Sequence, residues 1–333
     1  MIASSEVGSG RRLRAGVIGA GYLGRFHAQK YRALPEVELV AVADSNPDNG
    51  RRVAEELGVA FHADFHDLLS HVDLVSVVVP TPAHFAVASA TLRAGVHALV
   101  EKPITTTLAE ADALIQLAEK HHCVLQVGHL KRFHPAVAVL RERRLVQRCR
   151  FIECQRLAPF KGRGGDVDVT LDLMIHDVDL VLHFMASEVV AIEAVGRSIV
   201  TKHIDVAQAR LHFANGAVAT FAASRLAPAP VRSLRLLQDD GVISLDFITK
   251  QLHVARQRPE FVSADVSAHM NGVGEVLPVP EYDTLEAQIR AFCHAVRSGT
   301  APIVTGSDGR HALQVVTAIR AAMEPPPTTH GIR

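Results

Sequence analysis

The sequence predicts an α/β protein in two parts, an N-terminal doubly wound parallel sheet and a C-terminal α/β region with a large, mainly antiparallel open sheet. Three observations carry this reading. Near-continuous apolar strands alternate with amphipathic helices up to residue 128, as in a parallel sheet covered on both faces. A G-x-G-x-x-G run, Gly19 to Gly24, lies between the first strand and the first helix. Beyond it, Asn215-Gly216 and Asp240-Gly241 punctuate a strand-rich second half, and such dipeptides are strong hairpin signals.

The elements follow in order. Strands are expected at 13–18, 37–43, 74–79, 97–100 and 124–127, with helices at 22–33, 46–57, 83–93 and 108–121 between them. Gly58 and Gly95 stop two of those helices. A helix near 135–144 then leads into a strand at 150–157, a Gly-rich loop at 161–167 and a long apolar helix at 170–185. Strands follow at 189–200, 206–213, 217–225, 234–237 and 242–245, and two helices, 285–297 and 308–323, close the chain.

The 333 residues fit two domains at roughly 150 residues each. The expected division is a tail at 1–12, a cofactor domain at 13–128, a substrate-binding and oligomerisation domain at 129–323 and a tail at 324–333. Apolar residues make up 48%, enough for a sizeable core. Lys+Arg and Asp+Glu are 35 each, so no basic excess points to nucleic acid or an anionic membrane. The four cysteines contain no C-x-x-C pair, which argues against a disulfide framework or structural zinc and for a reducing, cytoplasmic setting. No apolar run reaches the roughly 18 residues of a membrane span, and the start lacks the apolar core of a secretion signal.

In Gly19-Ala20-Gly21-Tyr22-Leu23-Gly24 the first glycine permits a tight turn, the second lets a pyrophosphate approach the backbone, and the third lets helix and strand pack closely. The helix that opens there offers free N–H groups to phosphates. Asp44 ends the next strand, 20 residues after Gly24, where a carboxylate can accept both ribose hydroxyls of an adenosine. No arginine follows it directly; Arg51 and Arg52 come next. NAD is therefore expected over NADP.

Val100-Glu101-Lys102-Pro103 leaves the strand at 97–100. Together with the glycine run, the stretch from Val127-Gly128-His129 through Arg132-Phe133-His134-Pro135 and the Asp172–Asp179 helix, it resembles the glucose–fructose oxidoreductase/inositol dehydrogenase (Gfo/Idh/MocA) family over residues 13–323. The resemblance implies a Rossmann domain followed by an α/β domain whose open sheet makes oligomer contacts. It implies hydride transfer between a sugar-like alcohol and a nicotinamide, with no metal. It also implies that Lys102 touches cofactor and substrate, and that the lysine–proline bond is often cis. Lys102 fits on its own terms: it stands at the C-terminal end of a parallel strand, where ligands bind in such sheets, and an enclosed lysine can polarise or deprotonate a hydroxyl. Its bland alternative is a surface pair with Glu101.

In the apolar helix, Asp172, His176, Asp179 and His183 fall at i, i+4, i+7 and i+11, one polar stripe on a greasy element. Buried charge is costly unless paired or used, so the stripe is expected to face a cleft. His176 can accept the proton of a substrate hydroxyl as hydride leaves the adjacent carbon, and Asp172 can orient the imidazole. The family motif places a catalytic histidine and its supporting aspartate at these two positions. A structural hydrogen-bond network remains the alternative for all four residues.

Pro80, Thr81 and His84 follow the strand at 74–79 and are expected beside the nicotinamide, with Glu101 completing the cofactor set; His84 is equally readable as a plain helix-start residue. His129 and Arg132 are candidate substrate contacts. Arg156, Lys161 and Arg163 surround the Gly-rich loop before the catalytic helix; a free polyol needs no such cations, whereas a nucleotide diphosphate does. The phrase from Leu171 to Leu180 resembles the branch that oxidises UDP-N-acetylglucosamine at the 3-hydroxyl, a step toward diamino sugars of lipid A or surface polysaccharide. A free-sugar or inositol dehydrogenase is the alternative within the family, and a non-catalytic NAD-binding regulator the alternative outside it, against which the presence of both Lys102 and His176 argues. Residues 217–224 are small or apolar on both faces. A helix covers only one face, so a homodimer or homotetramer through the other is expected.

Overall fold

A computed structural model describes residues 10–160, 162, 167–256 and 274–323. The chain forms two compact units, 1–133 with 282–311, and 134–281 with 312–333.

The first unit begins with β1 (Leu13–Ile18), α1 (Tyr22–Ala33), β2 (Val37–Ala43), α2 (Pro47–Leu57), β3 (Ala60–His62) and α3 (His66–Leu69). It continues with β4 (Leu74–Val77), α4 (Thr81–Arg93), β5 (His97–Val100), α5 (Leu108–Lys120), β6 (Leu125–Val127) and a 3₁₀ turn (Leu130–Phe133). The six strands lie in the order β3-β2-β1-β4-β5-β6, all parallel. This is the doubly wound sheet the alternation predicts, and its switch point lies between β1 and β4. Local chemistry sets the helix ends. Asn46 caps α2 by accepting from the N–H groups of Asp48 and Asn49, and Gly58 closes it with φ 64°. Thr107 and Glu110 form a reciprocal capping box on α5.

The second unit contains α6 (Pro135–Glu142), β7 (Cys149–Leu157), a π-helical turn (Thr170–Met174) running into α7 (Ile175–Met185), and the strands β8 (Val189–Arg197), β9 (Val206–Phe213), β10 (Val218–Ser224), β11 (Val231–Gln238), β12 (Gly241–Asp246), β13 (Gln251–Arg256) and β14 (Glu275–Leu277). They form one eight-stranded sheet, β14-β13-β12-β11-β7-β10-β9-β8. Its one parallel pair is β7 with β10; the rest are antiparallel. Both predicted turns join hairpins, β9 to β10 and β11 to β12. Strand alternation sends Ile152, Cys154, Ala219, Phe221, Leu234 and Leu236 into a core shared with Met174, Ile175, Val178 and Val181 of the long helix. The opposite sheet face differs from the expectation. Thr220 and Ala222 are small, but Glu153, Gln155, Glu193, Gln208 and Arg210 line the same shallow depression, and Glu153 pairs with Arg235 at 2.6 Å. The face is mixed, with charged residues on its central strands, not an apolar patch.

The last helices are α8 (Thr284–Ser298) and α9 (Gly306–Ala322). A contiguous second domain over 129–323 does not describe this path. Ile289, Phe292, Cys293 and Val296 of α8 join the core of the first unit with Leu13, Tyr31 and Leu99, so 282–311 returns to the parallel sheet. The amphipathic face of α8 is readable in sequence; the surface it covers is not. The short β3, α3 and β14 also escape the sequence reading, because three- and four-residue elements carry almost no periodicity, and the six-residue β13 escapes it as well.

Candidate active site

The glycine run is built as its chemistry requires. Gly19 has φ 96°, and a Cβ there would lie 2.5 Å from the Val78 carbonyl oxygen; a Cβ on Gly24 would lie 1.7 Å from the Gly19 oxygen. Both positions exclude any side chain. Gly21 is different: among the described residues a Cβ there meets nothing within 4 Å. The space in front of Gly21, at the start of α1, is open as close approach of a pyrophosphate requires. Tyr22 and Leu23 stand beside it, 70% and 38% exposed, with Tyr22 edge-on to Phe26.

Gly19, Gly21, Asp44, Val79 and Pro80 line one cleft of about 830 Å³ at the C-terminal ends of the parallel strands. Asp44 is fixed by two backbone donors, Ala20 N–H at 2.6 Å and Asn46 N–H at 2.8 Å. Its carboxylate therefore faces this cleft in a set orientation. Asn49, Asp64 and Phe65 line the cleft as well. Sequence reasoning missed Asp64 and Phe65 because they follow the short β3, and a strand's C-terminal end is where the signal would lie; Asn49 lies on the first turn of α2. The nearby Arg51 rests over the Phe61 ring, 5.9 Å from its centroid. These residues fit a dinucleotide with a free 2′-hydroxyl. Gly21→Ala should leave the fold intact and abolish NAD binding, whereas Asp44→Ala should weaken NAD and relax the rejection of NADP, both read by cofactor titration. A wild-type protein that binds NADP more tightly than NAD would contradict the assignment.

The Lys102–Pro103 bond is cis. Lys102 and Glu101 are part-buried at the end of β5. Thr81 begins α4 and is part-buried. His84 is not arranged as a cofactor contact. It is 1% exposed, with Nδ1 2.8 Å from the Pro103 carbonyl oxygen and Nε2 2.9 Å from that of Val79. Burial pushes its pKa below the usual 6.5, and as a neutral ring it donates to one carbonyl at a time. It fastens the turn after β5 to the end of β4. His129 and Arg132 are 1% and 4% exposed. A guanidinium nitrogen of Arg132 lies 3.7 Å from Asp308 at the start of α9.

In the second unit, the expected polar stripe does not share one environment. Asp172 and His176 are part-buried, Asp179 is fully buried and His183 is exposed. The π-helical turn over Thr170–Met174 breaks the uniform 3.6-residue repeat on which the stripe rests; such turns recur at functional sites. Arg156 differs from the expected phosphate contact. Alternation on β7 turns it inward with Ile152 and Cys154, and it is 4% exposed. It donates from Nε and Nη2 to the two carboxylate oxygens of Asp177, at 2.9 and 2.5 Å. Asp177, one residue past His176, carries this pair and was not a candidate. Lys161 and Arg163 lie outside the described residues.

A glycine-cradled nucleotide cleft on a doubly wound sheet, joined to a second domain with a large open sheet, defines a dinucleotide-dependent oxidoreductase. The chain belongs to the Gfo/Idh/MocA family: the family's NAD-binding Rossmann model matches residues 13–129 and its C-terminal domain model residues 156–244. It is similar to the UDP-N-acetylglucosamine 3-dehydrogenase of Acidithiobacillus ferrooxidans, with 42% identity over 94% of this chain and 97% of that one. A solved structure of that enzyme superposes with TM-score 0.87 at 41% identity, covering 94% of this chain and 98% of that one. The scyllo-inositol 2-dehydrogenase (NAD(+)) of Bacillus subtilis is 28% identical over 91% of this chain and 92% of its own. The chain is accordingly an oxidoreductase with an NAD-binding Rossmann domain. Among the described residues, no helix is long and apolar enough to cross a membrane.

Proposed function

We propose that the chain oxidises a ring secondary alcohol of a UDP-sugar, with UDP-N-acetylglucosamine and its 3-hydroxyl as the first choice, to supply a 3-keto sugar for amino-sugar or surface-polysaccharide synthesis in the cytoplasm. The observation that carries it is 42% identity along nearly the full length of an enzyme with that activity, against 28% for an inositol dehydrogenase. Bound NAD supplies the hydride acceptor. His176 takes the hydroxyl proton, Asp172 orients its ring, and Lys102 polarises the reacting oxygen. A diphosphate needs cations; Lys161 and Arg163 remain the candidates, with His129 and Arg132 as further sugar contacts. Substrate selection belongs to the unit of 134–281 and 312–323, and the cofactor to 13–128.

The test is a panel of UDP-sugars and free polyols with NAD, followed at the reduced-nicotinamide absorbance. UDP-N-acetylglucosamine should be preferred by kcat/KM. Comparable turnover of free inositol or glucose would select the inositol-type reading, and no turnover of any alcohol the non-catalytic one. Neutralising Lys161 or Arg163 should raise KM for the UDP-sugar more than it lowers kcat, because a remote phosphate contact is largely uniform binding.

The open face of the eight-stranded sheet is proposed to form a homodimer or homotetramer contact. Its Glu153, Arg210 and Arg235 make that contact partly polar. A mass of two or four chains by light scattering at micromolar concentration is expected; a strict monomer would count against it.

A further inference from the structure

Beneath the turn that presents Lys102 lies a buried polar chain that neither the glycine run nor the Lys–Pro turn requires. His27 and Tyr31 sit one turn apart on the sheet-facing side of α1, and both are 0% exposed, as is Ser76 in β4. The Tyr31 hydroxyl lies 2.9 Å from Ser76 Oγ, and Ser76 Oγ lies 3.0 Å from His27 Nδ1. On its other side His27 Nε2 approaches Glu101 Oε1 at 3.4 Å. The second carboxylate oxygen of Glu101 accepts the backbone N–H of Lys102 at 3.2 Å. The carboxylate also rests on Gly128, where a Cβ would come within 2.6 Å of Oε1.

We propose that His27 is a positioning residue for Lys102: from the core it holds the Glu101 carboxylate, and through it fixes the Glu101-Lys102-Pro103 turn. The inference rests on the reading of Lys102 as a catalytic group. One direction of the chain turns a donor toward Glu101. Burial pushes the Tyr31 phenol well above its ordinary pKa, so it keeps its proton, and in this direction it donates to Ser76. Ser76 then donates to His27 Nδ1, which leaves Nε2 carrying the N–H that faces Glu101. A carboxylate so enclosed would otherwise be costly to keep charged. Although burial works against it, His27 first and then the Lys102 ammonium hold the Glu101 carboxyl below the usual range. His84 secures the same turn from behind through the Pro103 carbonyl, and it too feels the Glu101 charge. The turn is thus fixed on both sides of Lys102.

A displacement of about 1 Å at a reacting group can cost roughly 10²-fold in rate. His27→Leu should therefore lower kcat by about 10- to 100-fold while KM for the sugar and Kd for NAD stay within a few fold. His27→Gln, whose amide can place an N–H where Nε2 stood, should restore most of the rate. Glu101→Gln should lower kcat as His27→Leu does, and the double variant should be no worse than the poorer single one. In the cofactor-free protein, ¹⁵N NMR should find the His27 proton on Nε2, a readout that does not depend on any variant folding. A lone pair at Nε2, an unchanged kcat in a folded His27→Leu, or losses that multiply in the double variant would overturn the proposal. Lys102→Ala is measured alongside. If it loses kcat while His27→Leu keeps it, the positioning role alone fails; if it keeps kcat, the catalytic reading of Lys102 fails with it.

Discussion

His176→Ala should lower kcat by roughly 10²–10⁴, the usual worth of a positioned general base. NAD affinity should stay within a few fold, because the cofactor cleft is lined from the other unit of the chain, by Gly19, Gly21, Asp44 and Pro80. The physical reason is that oxidation at carbon cannot proceed without loss of the hydroxyl proton. An imidazole is near balance between its two forms at working pH. The ring sits on the first turn of α7, just past the π-helical turn, with Nδ1 buried. Asp172→Asn should lose less than His176→Ala, since it removes the charge that steadies the imidazolium and leaves the base itself. Lys102→Ala should also lower kcat strongly. The measurement is steady-state kinetics on a confirmed substrate together with cofactor titration of each variant. Near-normal kcat in both alanine variants would eliminate these roles.

What could be read from the sequence was local. The glycine run and Asp44 are legible because a turn, a helix start and a strand end impose their chemistry within a few residues. The Asn215-Gly216 hairpin is legible for the same reason. Other features depend on chain segments far apart. Ser76 and Glu101, which make His27 more than a core histidine, are supplied from 49 residues away and from the end of β5. The hydrophobic face of α8 announces a helix, but its place on the parallel sheet depends on Tyr31 and Leu99 meeting it. The polar stripe was less legible: the π-helical turn alters the repeat between Asp172 and His176, and Asp177, off that stripe, pairs with Arg156 from β7.

Arg156 separates the two readings of the cationic loop most sharply, because the expected effects differ in kind. A phosphate contact would leave the protein stable without it and show the loss in KM. The structure instead encloses Arg156 and Asp177 together, at 4% and 5% side-chain exposure, in a bidentate pair between β7 and α7. Desolvating two charges nearly cancels their attraction, so the pair adds little net stability against well-packed apolar residues; removing one partner strands the other in the core at a cost of about 3–5 kcal/mol. Arg156→Ala should therefore shift the denaturant midpoint of this unit strongly downward and lower the yield of folded protein. Asp177→Leu alone should do the same by stranding the guanidinium. Arg156→Met combined with Asp177→Leu should recover most of the loss, since it replaces both charges at similar volume. If the folded Arg156→Ala protein keeps its midpoint and instead raises KM for a UDP-sugar by tenfold or more, the arginine is a substrate contact and its pairing with Asp177 gives way to the phosphate on binding.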